Sequence, residues 1–467
     1  MNGSDALMLY ADSATSFNHT IKLLILEIQP GTEPWSSERC RDSFASRLEL
    51  VPRLRQRYLT VPFGLHHPVW VDDPAFDLDK HLDRVRCPAP GDMRALCHLV
   101  SDRYSGPLDH TRPLWHVTLV DGLAGDRLAA VLLIHHALAD GAGFLEMLLR
   151  FWTTQPESLS YAASHPWTPD PLPSRVRLLR DAFLSGPAFL FKQTAFAVRS
   201  IRAIGRTCRQ WQREGRALPP FPDGRHSLAP FANRISAQRS FAARSFALDR
   251  FSLAADRFGC TVNDVLLGCV AGALRSLAID RDRAPPAAPM IATVPVVRAS
   301  VGEGERDEHF SRILHTLLHV DIADPVERLA ACKRSADVMK EFFAQTRDAR
   351  PAALLDILHP SLVKRACRRN ESRHGGWSPF ANVIVSNVRG PREPLRLGDV
   401  RLADWFSTGQ VSHGAGLNVT TWSYVDRFNV CILADAIMLP DPWVLMTHFE
   451  SSIDELLLRQ ATPRQCA

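Results

Sequence analysis

The residues of this chain best equipped for chemistry are His135-His136-Ala137-Leu138-Ala139-Asp140-Gly141, which read HHxxxDG. Histidine is the side chain suited to taking and returning a proton near neutral pH. The apolar run Leu128 to Ile134, just before the pair, reads as a buried strand. Both histidines therefore fall at a strand end, a rigid place from which a side chain can face a cleft. Asp140-Gly141 reads as the turn into a helix, and Gly141 lets the backbone pass without a side chain blocking the site. Three uses of such a pair compete on spacing alone: proton transfer, a satisfied polar corner, and metal ligation. A metal site needs a third ligand aimed at the same point. No HExxH, CxxC or Cys/His array occurs, so no metal is expected.

The scaffold that must carry these histidines is large. The chain has 467 residues, too many for one ordinary core, and two domains are expected. Its composition, 46% apolar and 22% charged, is that of a globular protein. Asp5 and Asp12 interrupt the N-terminus, which argues against a secretory leader. No run of eighteen uncharged apolar residues suggests a membrane span. The ten cysteines lack paired spacing and read as reduced, mostly buried thiols of a cytoplasmic protein. The net charge of +5 excludes little by itself.

Along the chain, strand-like and helix-like runs alternate. Strands are expected over 21–28, 114–120, 128–134, 241–248, 290–297, 314–320, 383–386 and 428–435. Helices are expected over 92–105, 143–151, 253–258, 265–277, 326–346 and 442–458, with Thr261-Val262-Asn263-Asp264 opening the fourth of these. A long helical stretch, 174–214, is expected to break near Gly186-Pro187. Residues 155–173 and 219–230 read as loop and linker. The expected organisation is α/β: an N-terminal half over 1–173, a basic helical linker over 174–230 and a C-terminal half over 231–467. The linker helix carries Arg175, Arg177, Arg180, Lys192, Arg199, Arg202, Arg206, Arg209 and Arg213 against Asp181, interleaved with Phe183, Phe189, Phe191, Phe196 and Ile201. That mixture fits a helix lying on a membrane surface, and equally an interdomain helix with a solvated face. No motif supports a nucleic-acid role.

Several motifs coincide with HHxxxDG. Pro113-Leu114-Trp115 precedes it; Asn263-Asp264, Ser386-Asn387-Val388-Arg389-Gly390-Pro391, Gly416-Leu417-Asn418 and Ser423-Tyr424 follow. Asp5-Ala6-Leu7 and Pro74-Ala75-Phe76-Asp77-Leu78-Asp79 extend the pattern towards the N-terminus. In this order and spacing the chain resembles the bacterial wax ester synthase/diacylglycerol acyltransferase family, of the chloramphenicol acetyltransferase-like superfamily. The resemblance implies two such α/β domains joined by a crossing helical linker, with a tunnel between them. It implies an O-acyltransferase that moves a long-chain acyl group from acyl-CoA to a lipid alcohol. Diacylglycerol giving triacylglycerol is favoured; a long-chain alcohol giving wax ester is the other product. Acyl-CoA would be a co-substrate, with no cofactor. The rivals are a condensation-type acyltransferase with another acceptor, and a degenerate homologue that binds lipid without catalysis. The expected location is cytoplasmic, peripheral at the inner membrane face or on lipid droplets.

Carried over by the resemblance, His136 is the general base and His135 supports it from behind the strand. Asp140 orients, with Arg298 as its partner. Gly141, Asn263, Asp264, Ser386, Asn387 and Asn418 are substrate-binding candidates, Asn418 as an oxyanion donor. Read from the residues themselves, Asn263-Asp264 also suits a helix cap with an acidic first turn, and Pro113-Leu114-Trp115 suits a strand entry with a buried Trp. The chain departs from the family pattern in its second half: Pro295-Val296-Val297-Arg298 is one residue short, the Gly-Asn pair is replaced at His309-Phe310-Ser311-Arg312, and the proline of SNVPGP is Arg389. These changes bear on substrate range and level of activity.

Overall fold

The structure is a computed structural model that describes residues 1–29, 31, 35–125, 127–139, 141–154, 167–220, 231–297, 311–346, 349, 353–372 and 382–459. In chain order the first half holds α1 (Gly3–Tyr10), β1 (His19–Ile28), α2 (Ser37–Ala45), β2 (Gln56–Leu59), β3 (Val69–Asp72), β4 (Leu82–Arg86), α3 (Met93–Tyr104), β5 (Trp115–Leu123), β6 (Arg127–His135) and α4 (Gly141–Phe151). After α5 (Arg175–Arg213) come β7 (Arg239–Ala247), α6 (Leu248–Arg257), α7 (Val262–Asp282), β8 (Met290–Val297), β9 (Ser311–Leu318) and α8 (Pro325–Gln345). The remainder is α9 (Ala353–Ile357), α10 (Pro360–Ser372), β10 (Val383–Arg389), β11 (Arg396–Leu397), β12 (Val400–Thr408), β13 (Leu417–Tyr424), β14 (Arg427–Asp435) and α11 (Pro442–Leu458).

The chain divides into two compact units, neither continuous in sequence: Met1–Gly205 with Asp348–Ser372 and Glu393–Trp405, and Arg206–Arg347 with Arg373–Arg392 and Phe406–Ala467. Each carries a six-stranded sheet. In the first the order is β11-β12-β1-β6-β5-β4. β6 is its central, doubly flanked strand: it runs antiparallel to β1, with His19 opposite His135 and Glu27 opposite Arg127. It also runs antiparallel to β5, with a bulge between Val120 and Leu123. A strand covered on both faces must be apolar throughout, which is why Leu128 to Ile134 shows no polar alternation. α4 follows β6 and buries Phe144, Leu148 and Phe151. That i, i+4, i+7 spacing makes one apolar stripe.

The second unit's sheet runs β7-β14-β13-β10-β8-β9. β10 lies parallel to both β13 and β8, and the other neighbours are antiparallel. Its core gathers around α7, whose residues Asp264 to Leu274 are buried. α7 is the one described helix long and apolar enough to cross a membrane. Gly268 and Gly272 bring it close to its neighbours: a Cβ on Gly272 would stand 2.6 Å from Ser452 Oγ of α11, and one on Gly268 3.0 Å from Leu329 Cδ1 of α8. Close packing on two sides makes α7 a core helix of its unit.

Three expectations are corrected here. α5 runs unbroken through Gly186-Pro187. A proline removes one backbone donor, but long stretches of Arg, Leu and Ala on either side favour helix enough to carry it through. α6 starts at Leu248, five residues before the expected 253. β12 and β13 lie where no strand was expected. The nine cysteines among the described residues are free thiols, six of them buried.

α5 presents an unusual surface. Val176, Phe183, Leu184 and Phe191 are each more than 70% exposed, and Val198 and Ile201 are also exposed. Spacings of seven and eight residues place Val176, Phe183, Phe191 and Val198 on one stripe. Arg199, Arg202, Arg206 and Arg209 are exposed beside it. Asp181 is ion-paired with Arg177 and Arg180.

Candidate active site

The end of β6 is pinned by backbone bonds before any side chain acts. The His135 N–H donates to the carbonyl of Leu114 at 2.9 Å, and the His136 N–H to that of Asn18 at 2.7 Å. The Leu138 N–H closes the turn on the His135 carbonyl at 2.9 Å. Pro113-Leu114-Trp115 thus serves the motif directly: Leu114 holds His135, and Trp115 is buried with its indole N–H given to Leu54 O at 2.7 Å. His81 stacks on Trp115 and bonds its carbonyl through Nδ1 at 2.8 Å.

The His135 ring is 1% exposed and both its nitrogens are engaged. The Ala137 N–H donates to Nδ1 at 3.1 Å. Nδ1 is therefore an acceptor and the ring proton sits on Nε2, which donates to Asp12 Oδ2 at 3.0 Å. His110 Nε2 lies 3.1 Å from the same oxygen, and His110 Nδ1 is 2.8 Å from the Tyr58 hydroxyl. The other Asp12 oxygen accepts from the Asn18 backbone N–H at 3.0 Å and from Asn18 Nδ2 at 2.8 Å. Burial alone would raise the Asp12 carboxyl, but the bonds from His110, His135 and Asn18 overcome it and hold the group well below the usual carboxylate range. Burial and the nearby Asp12 charge push the Tyr58 hydroxyl up, so it stays a donor towards His110.

Asp12, His110 and His135 are close enough together to be considered as metal ligands. The donor set does not fit one. A ligating imidazole normally donates from its other nitrogen, whereas His135 Nδ1 receives an N–H, so its Nε2 must keep the proton that a metal would displace. His136 is half-buried at the turn. Gly141 begins α4. Asp140 and Arg298 lie outside the described residues, so their expected pairing does not enter the site's geometry.

On the other face of β6 the side chains of Ala130, Leu132 and Ile134 line an apolar cavity of about 60 Å³, with Trp115 from β5, Leu24 from β1 and Phe144 from α4. The alternation of the strand puts this cavity opposite His135. Its almost wholly apolar lining suits hydrocarbon.

The second-unit candidates fall into two groups. The helix cap is Thr261, not Asn263-Asp264. Thr261 Oγ1 accepts the Asp264 N–H at 3.2 Å, and Asp264 Oδ2 accepts the Thr261 N–H at 3.0 Å. This reciprocal box puts Asn263 and Asp264 inside the first turn. The other Asp264 oxygen takes Lys340 Nζ at 2.9 Å. Ser386 and Asn387 lie on β10 and Asn418 on the adjacent β13, with Ile384 opposite Asn418, Ser386 opposite Thr420 and Asn387 opposite Thr421. Thr421 Oγ1 donates to Asn387 Oδ1 at 3.0 Å, and Asn387 is exposed. Asn418 is buried; it donates from Nδ2 to Gln410 O at 3.0 Å and accepts from the Thr420 hydroxyl at 2.6 Å.

Sequence reasoning missed Asp12, Asn18, Tyr58 and His110. They come from the loop after α1, the entry to β1, β2 and the segment before β5, and only the fold assembles them.

The fold is shared with a wax ester synthase/diacylglycerol acyltransferase and with condensation domains. It matches the wax ester synthase/diacylglycerol acyltransferase from Marinobacter aquaeolei VT8 with a TM-score of 0.68 at 24% identity, over 98% of each chain. It matches the first condensation domain of the CDA synthetase with a TM-score of 0.55 at 16% identity, over 98% of this chain and 95% of that one. In sequence, residues 1–266 match the wax ester synthase/diacylglycerol acyltransferase catalytic domain, and residues 310–457 the WS/DGAT C-terminal domain. A Mycobacterium tuberculosis H37Rv protein that carries the name diacylglycerol O-acyltransferase is 44% identical over all of this chain and 99% of its own length. A second protein of that strain with the same activity in its name is 31% identical over 95% and 92%. The chain belongs to the wax ester synthase/diacylglycerol acyltransferase family and is an acyltransferase.

Proposed function

We propose that the chain transfers a long-chain acyl group from acyl-CoA to a lipid alcohol, with diacylglycerol as the favoured acceptor and His136 as the general base. One observation carries the choice of base. The His135 ring is committed at both nitrogens: Nδ1 receives the Ala137 N–H and the Nε2 proton goes to Asp12. Of the two motif histidines, that leaves His136. Its imidazole takes the proton of the acceptor hydroxyl as that oxygen attacks the thioester carbonyl. The tetrahedral intermediate then collapses, the C–S bond breaks, and the same proton passes to the leaving thiolate, giving ester and free CoA.

The apolar lining of the cavity behind β6 supports an alkyl group as part of the substrate. Asp140, with Arg298 as partner, is assigned to orienting the motif turn, and Ser386 and Asn387 to the substrate side of the second unit. The exposed apolar stripe of α5 beside its arginines supports work at an anionic membrane or lipid-droplet surface from the cytoplasmic side. No cofactor enters the scheme. The test is incubation of purified protein with radiolabelled palmitoyl-CoA and a panel of alcohols: dioleoylglycerol, hexadecanol and short-chain alcohols. Labelled triacylglycerol is expected to dominate. Transfer only to another acceptor would overturn the acceptor assignment.

A further inference from the structure

We infer that Asp12 is a positioning residue for the motif turn, holding His136 from both of its flanking peptides. The inference rests on His136 being the base. One carboxylate stands behind both peptides. Through Oδ1 it fixes Asn18, whose carbonyl receives the His136 N–H. Through Oδ2 it takes the His135 Nε2 proton, which leaves Nδ1 as the lone pair that receives the Ala137 N–H. The N–H groups on the two sides of the His136 Cα are thus both tied to Asp12, one through an amide and one through an imidazole tautomer.

His110 and Tyr58 complete the arrangement. The Tyr58 hydroxyl donates to His110 Nδ1, which puts the His110 proton on Nε2, facing Asp12. Four donors therefore converge on one carboxylate, two on each oxygen. Only an acceptor with both oxygens unprotonated satisfies all four. An asparagine at this position would turn an NH₂ towards donors on one side. Either His135 would have to move its proton to Nδ1, against the Ala137 N–H, or the Asn18 bonds would be lost. Both routes shift the peptide that carries His136, and small displacements of a catalytic group cost on the order of 10²-fold in rate.

The test compares wild type with Asp12→Asn, Asp12→Glu, His135→Gln and the Asp12→Asn/His135→Gln double variant, using palmitoyl-CoA and the best acceptor of the panel. Asp12→Asn is expected to lower kcat by about 10- to 100-fold while KM for palmitoyl-CoA stays within about twofold, and Asp12→Glu is expected to recover part of kcat. Glutamine at 135 has no tautomer and can turn its amide, so the penalty of Asp12→Asn should shrink in that background. Histidine-selective ¹⁵N NMR supplies a readout that does not depend on activity or acceptor. His135 should show the Nε2–H tautomer in wild type, and that signature should change in Asp12→Asn at a pH where the variant is folded. Loss of kcat in strict proportion to loss of folded protein, an unchanged His135 tautomer, or full additivity in the double variant would overturn the inference. Should His136→Ala keep its turnover, the base assignment fails first. Should His136→Ala be inactive while folded Asp12→Asn is fully active, only the positioning role fails.

Discussion

Two adjacent histidines are divided by their hydrogen bonds. His135 is sealed between a backbone N–H and a carboxylate, and His136 sits at the turn with its peptide held on both sides. The pair was visible in the sequence because its members are neighbours and stand next to an Asp-Gly turn. Asp12 was not: it lies 123 residues before His135, and its only visible sequence effect was to interrupt an N-terminal apolar run. At this scale a prediction follows from the Asp12 carboxyl, which titrates below the usual range in the folded state. Its stabilisation is complete above the unfolded value of about 3.9 and is lost as pH falls through that value towards the folded one. The melting-temperature gap between wild type and Asp12→Asn is therefore expected to be widest near neutral pH and to narrow below about pH 4. A gap that stays constant down to acid unfolding would contradict the ionised, hydrogen-bonded carboxylate.

The elements that the sequence made legible were those with continuous apolar runs or strong periodicity: β6, β8, α8 and α11 fall within a residue or so of the expected bounds. β13 escaped because it buries Asn418, Thr420 and Thr421, polar residues satisfied within the sheet, and so lacks a hydropathy signal. β12 escaped because Arg401 and Asp404 interrupt it. The start of α7 shows how a motif residue can serve its own helix. Asp264 closes a capping box with Thr261 and pairs with Lys340, whatever else it does. Thr261→Ala should cost about 1 kcal/mol of stability from the lost cap, read as a shift of the urea midpoint at unchanged m-value. A shift of twice that size or more with loss of acyl transfer at native temperature would mean that the α7 entrance does more than cap a helix.

For the whole molecule, the two α/β units and the family were readable from motif order, but their boundaries were not. Each unit borrows segments from the other half of the chain, and no local composition marks where the chain crosses over. The surface of α5 is a property of the folded chain that its sequence left ambiguous. Its arginines alone suit solvent, whereas the exposed stripe of Val176, Phe183, Phe191 and Val198 next to them suits a lipid surface. Co-sedimentation with anionic vesicles should exceed that with neutral ones and fall with salt, each basic residue contributing on the order of 1 kcal/mol. Replacing Arg199, Arg202, Arg206 and Arg209 by Gln should remove the preference, and replacing Phe183 and Phe191 by Ser should weaken binding to both. Equal binding to neutral and anionic vesicles would argue against this helix as an electrostatic anchor.

The most direct measurement of the central claim is single-turnover acyl transfer by His136→Ala, with melting temperature and palmitoyl-CoA affinity measured on the same preparation. Loss of a general base costs about 10²- to 10⁴-fold in rate. Ester formation should fall by that factor while folding and acyl-CoA binding remain near wild type. Near-wild-type turnover in a well-folded His136→Ala would contradict the assignment of His136 as the base.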